Sequence, residues 1–210
     1  MAEIMTFLKK INKTVGIVGC VLTILSHLML LLVGTGVARI EFNFVIHALI
    51  PAVISKVFVI AWVLYYALNE DYDKTSKIFA RNLLIFLVAN LIITFIDYEM
   101  MFFFLVQSVT SFLLLILTNM LINQRRFAIR SKKYAAMMRV INMILAMCVG
   151  AFVVLIVTSF TSEYIFLFVG TIISQIFMIV AIISVDVVEK KFQEALLVGN
   201  NDSEEEEYSD

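Results

Sequence analysis

Hydrophobic positions in this chain neither alternate nor recur as a narrow stripe against a polar face. They fill long runs parted by short polar breaks. Crossing roughly 30 Å of hydrocarbon takes about 20 helical residues. Runs of that length occupy residues 14–37, 44–68, 78–97, 101–122, 138–160 and 164–187. Only Asp97, Tyr98, Glu99 and Met100 part the third run from the fourth, so those two must form a tight hairpin. The pattern predicts an all-α polytopic integral membrane protein, with six transmembrane helices arranged as three hairpins. Residues 1–192 form the bundle, and residues 193–210 an acidic tail expected to be disordered.

Composition agrees with that reading. The chain is 62% hydrophobic and 16% charged, and its mean hydropathy is +0.99, whereas soluble domains are nearer half apolar and a quarter charged. A net charge of -1 conceals a segregated pattern. One set of helix ends carries Lys9, Lys10 and Lys13, then Lys74, Lys77 and Arg81, then the stretch from Arg125 to Arg139, then Lys190 and Lys191; the opposite set carries Arg39 alone. Basic residues gather on the cytoplasmic side of membrane proteins. Both termini are therefore expected in the cytoplasm, in a cell membrane. Trp62, Tyr65, Tyr66 and Tyr134 fall where an inner aromatic belt would lie, and Tyr98 and Tyr164 where an outer one would. The first run also reads as a signal peptide, with Gly36, Val37 and Ala38 as the small residues of a cleavage site. Its apolar stretch is longer than a usual signal core, so retention is the expectation.

Lys56 changes the picture most. It falls near the middle of the second run, where a charge costs several kcal/mol, and such residues usually face a bundle interior or a water-filled cavity. Because successive helices alternate in direction, the centres of the runs share one depth. That depth holds His27, Lys56, Asn90, Thr110, Ser111, Cys148, Gly150, Ser174 and Gln175. Helical spacing gathers Gly16, Cys20, Thr23, His27 and Gly34 on one stripe of the first helix, and Gln107, Thr110, Ser111 and Thr118 on one stripe of the fourth. Small and hydroxyl residues are ordinary glue between membrane helices. Mid-depth polar groups are also where transporters hold solutes, and glue does not require a lysine. Lys56, His27, Asn90, Gln107, Ser111, Ser174 and Gln175 are the candidate ligand-binding residues. No Asp or Glu lies at the depth of Lys56 in the sequence, which favours an anionic or carboxylated solute over proton or sodium coupling through acids. Pro51, the single proline, is expected to bend the second helix and to leave the His47 carbonyl without its amide partner.

The break from 123 to 139 is strongly basic. Arg125, Arg126, Arg130, Lys132 and Lys133 are candidates for contact with anionic lipid or a partner. The break from 69 to 77, NEDYDKTSK, reads as an ordinary solvated turn. The tail places Asp202, Glu204 to Glu207 and Asp210 after the last run, a composition that favours disorder.

Several function classes are excluded by what is missing. There is no phosphate-binding glycine loop, no His-Glu-x-x-His and no Gly-x-Ser-x-Gly. Two histidines and two cysteines scattered over the bundle do not make a metal site, and Cys20 and Cys148 read as small buried hydrophobes. Basic residues flank apolar runs with no interleaved aromatics, which argues against nucleic acid. No catalytic residue, cofactor or metal is expected, so the chain is read as a non-enzyme. Two readings stay open. One is a transport-related subunit or permease that handles a polar or anionic solute at mid-membrane. The other is an interaction or regulatory membrane protein acting through its basic inner loop and acidic tail. The expected partners are the bilayer and another membrane subunit or a second copy of the chain.

Overall fold

The computed structural model describes residues 2–36, 50–96, 100–125 and 164–207, together with 136, 140, 143, 144 and 147. The described residues form five long helices: α1 (Ala2–Gly34), α2 (Ile50–Leu68), α3 (Lys74–Ile96), α4 (Met100–Arg125) and α5 (Tyr164–Glu207). Four of them are long and apolar enough to cross a membrane, over Thr6–Val33, Ile50–Leu68, Lys74–Ile92 and Phe168–Glu194. The predicted run 138–160 lies largely outside the described residues. Val140, Met143, Ile144 and Met147 within it are helical and exposed, at one-turn and two-turn spacing.

α1 packs on α2, α2 on α3, α3 on α4, α4 on α5, and α5 returns to α1. The five helices therefore close a ring in chain order. Its core is formed by Trp62, Leu83, Leu87, Leu115, Leu121 and Met178 among others. Large aliphatic residues cover the outside, as lipid requires. On α5 Ile173, Ile176, Val180 and Ile183 are exposed on one face, and Val21 and Leu28 of α1 face outward as the stripe predicts. The opposite stripe, Gly16, Cys20, Thr23 and His27, is buried.

In lipid, apolar burial does not drive one helix onto another, so close packing and interhelical hydrogen bonds must do so. The contact between α1 and α2 shows both. A Cβ on Gly16 would lie 2.7 Å from Trp62 Cδ1, and one on Gly19 would lie 3.2 Å from the Ser55 carbonyl oxygen. Only hydrogen fits at Gly16, and that lets the indole lie against the α1 backbone. Ser55 Oγ then donates to the Gly19 carbonyl at 2.7 Å.

Local signals set the helix ends. Gly36, at φ 72°, takes the left-handed conformation after α1, and its N–H bonds the Val33 carbonyl at 3.0 Å. Asp73 caps α3 by accepting the Ser76 N–H at 3.1 Å. Pro51 is the second residue of α2. A bend at His47 concerns a residue outside the described ones.

One expectation is revised. Trp62, Tyr65 and Tyr66 do not line an outward belt; all three are buried, with Trp62 1% exposed. Their rings stack edge to face around Tyr66, whose centroid is 5.0 Å from those of Trp62 and Tyr65. α5 itself runs on past the last apolar run, to Glu207. Glu194, Ala195, Leu196 and Leu197 are strong helix formers, and they carry the helix past the last apolar run.

Candidate functional site

The residues picked out at mid-depth are brought together. His27, Lys56, Asn90, Ser111, Ser174 and Gln175 are all buried, none more than 7% exposed. The side chain of Gln107 lies outside the described residues, as do Cys148, Gly150 and the His47 ring.

The polar groups run as a belt from helix to helix. The hydroxyls of Thr23 (α1) and Ser55 (α2) are hydrogen-bonded to each other. Lys56 Nζ (α2) donates to Asn90 Oδ1 (α3) at 3.0 Å. Asn90 Nδ2 in turn donates to Thr110 Oγ1 (α4) at 3.5 Å. Gln175 Nε2 (α5) donates to Ser111 Oγ (α4) at 2.9 Å. Each consecutive helix pair is thus joined by a polar contact at one level. Between α5 and α1, the His27 ring lies edge-on to Phe168 at 6.4 Å.

Not every member is equally available to a ligand. Ser174 Oγ donates to the Gly170 carbonyl of its own helix at 2.8 Å. His27 Nδ1 donates to the Thr23 carbonyl at 2.7 Å. Each of those two is bonded within its own helix, whereas Lys56 and Asn90 are joined side chain to side chain between helices.

A second polar centre, at the lysine-rich end, was not expected. Arg125 Nε and Glu189 Oε2 are 3.0 Å apart between α4 and α5. The guanidinium lies 4.6 Å from the centre of the Tyr72 ring and 4.1 Å from that of Phe192. Arg125 was placed among the cations that meet anionic lipid, but the structure turns it inward and engages its charge with Glu189. Arg126, Arg130, Lys132 and Lys133 lie outside the described residues. The 69–77 break is likewise more than a solvated turn, since Asn69, Tyr72 and Ser76 are buried in it. Tyr72 Oη donates to Glu189 Oε2 at 3.3 Å, and burial, its largest influence, raises the phenol above its ordinary range.

Beside this cluster, α1, α2, α5 and Tyr72 line a cavity of about 560 Å³ that is partly open. Its walls include Asn12, Trp62, Tyr66 and the ion pair of Lys13 with Asp186, 2.9 Å apart. Asn12 Nδ2 donates to Tyr66 Oη at 3.0 Å. Trp62 Nε1 and Asn12 Oδ1 are buried without a hydrogen-bond partner among the described residues. The sequence carries little signal for this centre: Trp62 is six residues beyond Lys56 on α2, about 120° round the helix, so an inward lysine does not by itself turn the indole inward.

Among the described residues no three His, Cys, Asp or Glu side chains are placed to hold a metal. Comparison with protein-family models, with curated proteins and with solved structures finds no match for this chain.

Proposed function

We propose that this chain is a small transport-related membrane protein of six spanning helices, a subunit or simple permease. It handles a polar or anionic solute at mid-membrane, with Lys56 as the contact for the solute's negative or electron-rich end. Both termini lie on the cytoplasmic side of a cell membrane, where the lysine-rich ends belong, and the chain has no catalytic role.

The observation that carries the reading is the hydrogen bond from Lys56 to Asn90, set within a polar belt that links consecutive helices. Packing alone is served by the hydroxyls of Thr23 and Ser55, which need no ionisable group. A lysine beside an amide in the same layer suits recognition of a carboxylate or phosphate, to which an ammonium donates as a compact charge. Native mass spectrometry of the protein released gently from its own membrane, beside Lys56→Met, tests this. A small bound mass in the parent, lost in the variant, is the expected result. The same mass in both proteins, or solute uptake undiminished by Lys56→Met, would remove Lys56 from the mechanism.

The length of α5 favours a second reading. At 44 residues it extends about 66 Å, roughly twice the hydrocarbon thickness. A helix of that reach carries Glu204 to Glu207 well away from the bundle, where they could meet a basic partner. Removing residues 199–210 while neutralising Arg126, Arg130, Lys132 and Lys133 should then release a co-purifying protein. If nothing is lost, the regulatory reading goes.

A further inference from the structure

The cavity at the lysine-rich end is separate from the mid-depth belt. Lys56 and Trp62 lie six residues apart on α2, about 9 Å along its axis. Its volume, about 560 Å³, is that of a small-molecule pocket, and its walls are neither purely apolar nor evenly charged.

The charges sort into satisfied and surplus groups. Asp186 takes two cations, Lys13 at 2.9 Å and Lys190 at 3.3 Å. Glu189 is engaged by Arg125 and by Tyr72. Lys9 and Lys10 also line the cavity, against one further acid, Glu194. Positive charge is therefore in excess. Trp62 and Tyr65 also line the cavity, and the indole N–H of Trp62 is buried with no partner among the described residues. A cationic guest would have to compete with the lysines and with Arg125, which already occupies the Tyr72 ring.

We propose that this cavity is a binding site for a phosphate-bearing molecule, its phosphate held by Lys9 and Lys10 and its remainder lying against Trp62. The chemistry is shared by a phospholipid headgroup entering from the adjacent leaflet and by a soluble phosphorylated compound. Lysine binds phosphate as a point charge, without demanding one fixed geometry. That tolerance suits a site built from side chains near the first turns of α1.

Trp62 is the single tryptophan of the chain, so its fluorescence reports on this wall alone. The full-length protein is held in a maltoside detergent, which contains no phosphate. It is titrated with inorganic phosphate and, separately, with mixed micelles containing phosphatidylglycerol; sodium chloride at matched ionic strength is the reference. A saturable change in Trp62 emission with inorganic phosphate identifies a soluble phosphate as sufficient. Saturation with phosphatidylglycerol alone identifies the lipid headgroup. In either case Lys9→Gln/Lys10→Gln should weaken binding by roughly tenfold or more. Both lysines are exposed, and the pairs on Asp186 are untouched by the change, so the variant should fold. No saturable response to either titrant, or an identical titration in the double variant, overturns the proposal.

Discussion

Lys56 and Asn90, 34 positions apart in the chain, meet at 3.0 Å between α2 and α3, and Asn90 passes the contact on to Thr110 of α4. The lysine is thereby tied to two further helices through one amide. Asn90→Leu removes its acceptor and should cost about 1 to 2 kcal/mol of stability. Lys56→Met/Asn90→Leu should cost less than the sum of the single changes, because partners in one network are coupled. Thermal unfolding of the four proteins in one detergent checks this; strict additivity would mean that the two side chains do not interact.

At the other polar centre the same reasoning applies to charge. The side chains of Arg125 and Glu189 are 8% and 19% exposed, so truncating one leaves the other poorly solvated. Arg125→Met should destabilise the bundle by about 2 to 3 kcal/mol, less than for a fully buried pair because Glu189 retains some water. Arg125→Met/Glu189→Gln should recover part of that loss. A double variant no better than the single one would show that the guanidinium matters through its stacking on Tyr72 and Phe192 instead.

Gly16 makes a steric prediction. Even Gly16→Ala places a methyl 2.7 Å from Trp62 Cδ1, whereas the tightest approach for Gly19→Ala is 3.1 Å, to Val59 Cγ2. The first change should cost about 1 to 3 kcal/mol and shift Trp62 emission. The second should cost less and leave the emission near that of the parent. Equal effects would imply that α1 and α2 slide freely past each other.

Tyr72 gives a pH dependence. Its ordinary value of 10.0 is raised, first by burial, so the folded state holds this proton where the unfolded state has released it. The contribution to stability is intact below about pH 10 and declines as pH rises above it. The tyrosinate absorbance assigned by difference to Tyr72, against Tyr72→Phe, should therefore appear only as the helical signal is lost. Ionisation in the fully folded protein near pH 10 would contradict the buried placement.

Much of this was legible in the residues themselves. An ionisable or amide group inside an apolar run has few places to go, so Lys56, Asn90, Ser111 and Gln175 announced a buried layer before any coordinates. The helices were legible for the same reason, by length and hydropathy. What did not show was which side of α2 faces the interior at its end. Nearly every position there is apolar or aromatic, so periodicity carries little contrast, and Trp62, Tyr65 and Tyr66 suit a headgroup belt as well as a core. Arg125 and Glu189 were hidden differently. Each sits at the edge of an apolar run, where a charge ordinarily meets water, and their pairing depends on α4 and α5 being neighbours. No local pattern encodes that adjacency.

The closed order of the helices bears on how the protein is made. Everything from α1 to α4 can dock on its chain neighbour as it leaves the ribosome, but the ring stays open until α5 arrives. Ser111, Lys13 and Arg125 all wait for Gln175, Asp186 and Glu189 on that one segment. A nascent chain stopped short of α5 would present two unmatched cations and an open seam, features by which a membrane quality-control protease could tell an unfinished copy from a finished one.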